Sequence, residues 1–512
     1  MMICNKPTLK STCSIILLTG IYLTGFSQQK NFNINSFGAK ADEKTINTIA
    51  IQKAIDKANA SGGGKVIIPK GRFVSGVVYL KTGVELHLAQ DAVLLGSTNR
   101  LDYGKGNAEA LITAKGQHHI SITGKGKIDG RGKELVKDLL MLLRKGILQD
   151  AMYKTKRPQE NNRPKLIEFT ECSNVTVKDI SVMNGAGWVQ DYIRCNQVVI
   201  DGITVTSTEY WNNDGIDIVN SKNVSITNCY VDAADDAICL KSEGEILDSC
   251  VNIYVANCTL RSSASAFKLG TGSKGGFRNI KVRNLQIFDT YRSAIALEAV
   301  DGGFLENIDI QNVKAVNTGN ALFIRLGHRN TDDQYSTVKN IIIKNIDVQV
   351  PAEKPDAGYP VEGPVKNFPH NVFPASIVGL PGHEIEHVTL ENIIVHYEGG
   401  GSKDNAFFDW NQLQSVPENA AGYPEFSQFG ELPAWGLYVR HVNGLTMKNV
   451  QLNLQRSDYR VACIFDDVKK LSLSEIIIPS SVQPVIILNN VDKPLIEKMK
   501  LAAGSGEAIR IQ

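Results

Sequence analysis

The sequence predicts an all-β solenoid, a parallel β-helix closed at one end by an N-terminal capping helix. Three observations carry the prediction. Short apolar–polar alternations recur along most of the chain. They recur with a coil-like period: from Ser173 to Arg278 the steps between blocks are 23, 26, 29 and 27 residues. A single helix-like stretch stands before them all. Periods in this range belong to stacked supersecondary units. Alternation of period two is the mark of a half-buried strand.

In chain order, residues 1–27 read as a signal peptide. Lys6 and Lys10 make a basic start, Ser14 to Phe26 is apolar, and Gly25 and Ser27 offer small residues before a cut near Gln28. The apolar run is short for a membrane span. Export to the periplasm or the outside is expected. Residues 28–512 read as one β-helix catalytic domain.

The capping helix is expected from Thr45 to Ala60. Ile51, Ala54, Ile55 and Ala58 share one face by their i, i+3, i+4, i+7 spacing, and the Gly62–Gly64 run stops it. A helix at this place covers the open end of a sheet.

The repeat blocks follow. Examples are S-N-V-T-V-K-D-I-S-V from Ser173, K-N-V-S-I-T-N-C-Y-V from Lys222 and R-N-I-K-V-R-N-L-Q-I from Arg278. Each is a strand, a tight break at Asn or Gly, and a second strand. Stacked at about 4.8 Å per coil, such units form a parallel β-helix. A leucine-rich repeat is the rival, but it needs a fixed Leu framework and these positions mix Val and Ile.

Two regions interrupt the repeat. Residues 133–164 hold a helical K-E-L-V-K-D-L-L-M-L-L-R-K and then a polar loop. Residues 351–385 and 396–436 read as long loops walling one side of a groove. There Trp410, Tyr423, Phe426, Phe429 and Trp435 are candidate sugar-stacking faces.

Composition narrows the function. With 55 basic and 53 acidic residues the net charge is +2, so no global field recruits nucleic acid. No phosphate loop or basic–aromatic stripe is present. Among the nine cysteines, Cys172, Cys195, Cys229 and Cys258 sit beside repeat strands and read as small buried side chains. No disulfide framework and no C-x-x-C zinc spacing occur.

The chemistry is expected in residues 211–242. Asp214 stands in W-N-N-D-G-I-D-I-V, and Asp235 and Asp236 stand in A-D-D-A-I-C-L-K-S. Each cluster runs into a short strand, and one coil separates them, so the repeat stacks them. In the strands that follow, Ile216/Ile218, Ile238/Leu240, Phe267/Leu269, Ile295/Leu297 and Ile324/Leu326 are expected to point inward. One outward column is then Asp217, Cys239, Lys268, Ala296 and Arg325. The next is Val219, Lys241, Gly270, Glu298 and Gly327.

Glycosidic hydrolysis needs one carboxyl group to protonate the leaving oxygen and another to attack or activate water. Clustered carboxylates repel, so one is raised and becomes a proton donor. The catalytic candidates are Asp235, Asp214 and Asp236. The substrate-binding candidates are Asn212, Asp217, Lys241, Lys268, Glu298 and Arg325. Because Asp and Asn oxygens also suit a hard cation, a calcium site including Asn212 and Asn213 is the rival. No cofactor and no resident metal are expected.

These motifs resemble glycoside hydrolase family 28, the polygalacturonase-like, pectin-degrading enzymes, as a divergent member. The likeness runs from F-G-A-K-A-D near the start through the repeat blocks. The family's N-T-D appears as Asn212-Asn213-Asp214, and its paired Asp as Asp235-Asp236. The resemblance implies a right-handed, pectin lyase-like parallel β-helix. It implies Asp235 as general acid, Asp214 and Asp236 positioning water, and inversion at the anomeric carbon.

Two family triplets are altered. Ser265 stands where G-H-G has its His, and Ala296 and Glu298 stand where R-I-K has its bases. Glu298 is expected to repel a uronate there. That implies a neutral or differently linked sugar on that side, as in rhamnogalacturonan or a decorated pectin. Lys241, Lys268 and Arg325 then hold a uronate on the other side. The expected partner is a plant-type polysaccharide or oligosaccharide, met by a monomer. The competing functions are a polysaccharide lyase on the same fold and a non-catalytic carbohydrate-binding β-helix.

Overall fold

The computed structural model describes residues 1–2, 30–355, 358–359, 371–405 and 408–512. Apart from its first two residues, the expected leader lies outside them. The described strands, from Asn31 to Ile511, stack in parallel into a right-handed β-helix. Three columns make the wall. One runs Ser173–Lys178, Asn196–Asp201, Lys222–Thr227 and on into Cys250–Ser262. A second runs Ser181–Met183, Thr204–Ser207 and Tyr230–Ala233. The third carries the site: Gln190–Ile193, Ile216–Val219, Ile238–Ser242 and Phe267–Ser273.

The Asn breaks have a double cause. Asn223, Asn252, Asn279, Asn307 and Asn340 all have φ between 57° and 59°, a left-handed turn that Asn tolerates better than other side chains. Stacking then lets each side-chain amide donate to the Asn Oδ1 one coil earlier, at 2.8–3.1 Å. Inside the coils Ile218, Leu240, Leu269, Leu297 and Ile324 are fully buried in one continuous aliphatic core.

Helix α1 (Thr48–Ala60) buries Ile51, Ala54, Ile55 and Ala58 against the first coil, the face that the spacing predicts. It starts three residues after Thr45 because Asn47 spends its side chain on Lys40 and Thr45 instead. Helix α2 (Gly132–Arg144) lies in the expected insertion. Leu135 and Val136 join the main core, while Leu139, Leu142 and Leu143 pack on Leu148. Among the described residues no helix is long and apolar enough to cross a membrane.

Two expectations are corrected here. The outward column does not end at Arg325. Lys268 pairs with Ala296, Ala296 with Phe323, and Glu298 with Arg325. A register shift moves the pairing by one residue between Thr290, which faces Thr318, and Ser293, which faces Asn320, and Ile295 faces Leu322 rather than Ile324. The long loops are also shorter than expected. The strand Ala375–Val378 adds to the third column, and Ile385–Gly399 runs past residue 396.

Candidate active site

The acids sit at the entry to the third column. Gly215 N donates to Asp236 O at 2.9 Å, which stacks the Asp214 turn on the Asp235-Asp236 turn. Gly215 is required there: a Cβ would lie 2.3 Å from Val231 Cγ1 and 2.5 Å from Ala237 O. Asn213 staples the turn, donating to Gly185 O and Gly187 O and accepting from Ser207 Oγ. Asn212 has φ 53°. Its Nδ2 donates to Asp235 Oδ2 at 3.3 Å.

Asp214, Asp235 and Asp236 each offer an oxygen, and these lie within 4.8 Å of one another. Their charge environments differ. Lys241 Nζ sits 2.8 Å from Asp214 and pairs closely with Asp217. Lys268 Nζ sits 3.0 Å from Asp236. Asp235 makes no ion pair among the described residues and accepts only from the Asn212 amide and the Asp236 N–H. It is also the most open of the three, at 8% exposure.

Protonation follows from those contacts. Burial pushes Asp235 above the usual carboxylate range, and the adjacent Asp236 adds to it. Burial alone would raise Asp236 too, but the Lys268 and Lys241 ammoniums outweigh it and hold Asp236 low. Burial pushes Asp214 well up against the pull of Lys241, and takes Asp217 to about 7. Lys268 stays charged because Asp236 and Glu298 outweigh its own burial. The three acids are spaced to share one cation. The two lysines already supply positive charge beside two of them, which weakens the calcium reading.

A cavity of about 510 Å³ opens above the acids. Asn212, Lys241 and Lys268 line it. Asp217 does not: it is fully buried beneath Lys241 and serves as that lysine's counter-charge. Glu298 does not either. It lies under Lys268, accepts from Thr271 Oγ1, and burial pushes it to about 7. The expected repulsion of a uronate by Glu298 is therefore withdrawn. Arg325 is 1% exposed and spends its guanidinium on the carbonyls of Val378, Gly379, Glu418 and Asn419. It fastens a loop and does not line the cavity. Among the candidate stacking aromatics only Tyr423 lines the cavity. Phe426 and Phe429 are buried in a cluster with Phe323, Trp435 is buried against Tyr397, and Trp410 packs on the same cluster and Arg510.

The structure adds residues that the sequence pattern does not mark. Trp188 lies over Lys241, 3.8 Å from ring centroid to Nζ. Arg292 reaches the cavity from the register shift at Thr290/Ser293 and pairs with Glu425 at 3.2 Å. Irregularities of this kind re-aim side chains near active sites. Arg157 enters from the 145–164 loop. No repeat period marks any of these; only the fact that Arg292 is a charge four residues before Ala296 was available.

The family model for glycosyl hydrolases family 28 matches residues 59–355, more than half of the chain. An exo-poly-alpha-D-galacturonosidase of Dickeya chrysanthemi is 27% identical over 325 residues, 54% of this chain and 53% of that protein. An exopolygalacturonase of Zea mays is 26% identical over 344 residues, 62% of this chain and 76% of that protein. The chain spans about half the length of the first curated relatives it matches. The exopolygalacturonase of Thermotoga maritima superposes with a TM-score of 0.60 at 22% identity, over 83% of this chain and 92% of that one, a likeness of fold. The matched segment holds all three acids and the coils that stack them, and the chain belongs to the glycosyl hydrolases of family 28.

Proposed function

We propose that the protein is an exported glycoside hydrolase that cleaves O-glycosidic bonds in galacturonate-containing pectic polysaccharide or oligosaccharide, with inversion. One observation carries the reading. Three buried carboxylates converge, two of them paired with lysines, and the third makes no ion pair among the described residues. Asp235 is the acid. It gives its proton to the leaving oxygen as the C1–O bond breaks. Water forms the new C1–O bond from the opposite face. Asp214 and Asp236 hold that water, and Asp236, kept ionised by Lys268, takes its proton. Trp188 and Tyr423 supply aromatic faces for sugar rings.

One oxygen from each of the three acids lies within 4.8 Å of the others. Two acids gripping one water, rather than one acid across from it, account for the compact arrangement. The names of the relatives support a pectic substrate, and the altered G-H-G and R-I-K positions leave its decoration open to a rhamnogalacturonan-type chain.

The test is product analysis on a panel of pectic polysaccharides and oligosaccharides. Proton NMR of the first-formed product reads the anomeric configuration. Cleavage with inverted configuration is expected. An unsaturated, ultraviolet-absorbing product lost on chelation means a lyase. Binding with no turnover of any panel member means a carbohydrate-binding protein.

A further inference from the structure

Five cationic side chains line the cavity, and four are committed to carboxylates of the protein. Lys241 pairs with Asp214 and Asp217, Lys268 with Asp236, and Arg292 with Glu425. Arg329 makes a two-pronged pair with Asp301. The fifth, Arg157, has no carboxylate within ion-pairing distance among the described residues. It is half-buried, and its guanidinium lies 5.9 Å from the centre of the Trp211 ring.

Its backbone is held. Pro158, the next residue, accepts from Arg163 Nε at 3.1 Å. Arg163 is 2% exposed and also donates to Ala186 O, Trp211 O and Asn212 Oδ1. Asp150 closes the loop from below, accepting from Gln159 N and Asn162 Nδ2. The 145–164 insertion thus carries an uncommitted guanidinium to the rim of the acid cluster and anchors it there.

We propose that Arg157, which lines the cavity beside the Trp211 ring, binds a uronate carboxylate of the substrate. A guanidinium fork matches a carboxylate with two parallel hydrogen bonds, and an aromatic wall suits the apolar face of the same sugar ring. This gives the enzyme its preference for free over methyl-esterified uronate. The identity of the sugar rests on the hydrolase reading; the anion-binding role of Arg157 does not.

Calorimetry tests it with trigalacturonate and its methyl ester as the ligands. The proteins are Asp235→Asn, and Asp235→Asn combined with Arg157→Gln or Arg157→Lys. Asp235→Asn is expected to bind the free acid more tightly than the ester. Adding Arg157→Gln weakens acid binding by about tenfold, in keeping with a lost charged hydrogen bond, and closes the gap to the ester. Arg157→Lys restores part of it. An unchanged acid-to-ester ratio in Arg157→Gln overturns the proposal, as does failure of Asp235→Asn to bind the acid at all. Turnover by the unsubstituted enzyme is read separately. No cleavage, with Arg157-dependent binding retained, removes the hydrolase reading and leaves the Arg157 site standing.

Discussion

Arg163 Nη2 donates to Asn212 Oδ1 at 2.7 Å, and this bond decides which way the Asn212 amide faces. With its oxygen taken, Asn212 presents Nδ2 to Asp235. A residue of the insertion loop therefore orients a donor on the proposed acid. Arg163→Lys keeps the charge and loses the fork. It is expected to shift the alkaline limb of the kcat profile upward in pH, because Asp235 loses a donor to its ionised form. Asn212→Ala should do the same. The double variant should shift no further than either single one, since both act through one contact. Additive shifts would sever the link.

Asp235→Asn removes the proton donor. A loss of about 10²–10⁴ in kcat is expected, with the KM for intact substrate changed much less. The substrate with an activated leaving group, an aryl galacturonide, should suffer less, because its departure needs little protonation. Equal losses on both substrates would move the acid role elsewhere.

The Lys268 ammonium lowers both Asp236 and Asp235. Lys268→Gln removes it, so both carboxyls hold their protons to higher pH. The proposed base must ionise and the proposed acid must stay protonated, so both limbs of the kcat/KM profile move to higher pH. A profile that falls in height without moving would leave Lys268 a structural role only.

Glu298 is a stability probe with a definite sign. Its folded pKa is raised from 4.5 to about 7, so the folded state holds a proton that the unfolded chain releases. That contribution is present below pH 4.5 and is lost as pH rises through about 7. Glu298→Gln is therefore expected to gain stability relative to the natural protein as pH rises from 4.5 to 8. Denaturant midpoints at the two pH values read it. A constant difference would mean that Glu298 stays ionised throughout, paired with Lys268.

The Asn ladder separates backbone strain from side-chain bonding. Asn279 has φ 59°, donates to Asn252 and accepts from Asn307. Asn279→Gly loses the bonds and keeps the turn. Asn279→Ala loses both, and should cost about 1 kcal/mol more than the Gly variant. Equal stabilities would mean that the ladder bonds carry the whole effect.

The local pattern alone was enough to read the coil. Alternating Val and Ile specify which side of each strand is buried, and the Asn breaks specify where it turns. These act over a few residues, so the inward stack of Ile218, Leu240 and Leu269 and the stacking of the acid turns were legible, as was the α1 cap. A one-residue register shift was not, because it arises where Thr290 and Ser293 meet a neighbouring coil. It moved Arg325 out of the expected column and brought Arg292 into the cavity.

Counter-charges were invisible for the same reason. Sequence placed Asp217, Glu298 and Arg325 beside the acids as ligands for sugar. The structure uses the first two to balance lysines and the third to tie down a loop, since a buried charge must find a partner or neutralise. The insertions carry no repeat at all. Their residues reach the cavity only through contacts dozens of positions apart, such as Arg163 on Asn212 and Tyr423 over Lys268. The chain's own alternation determined the coil and the acid cluster. Only the tertiary structure decided which charges face the substrate, because that depends on where loops without periodicity come to rest.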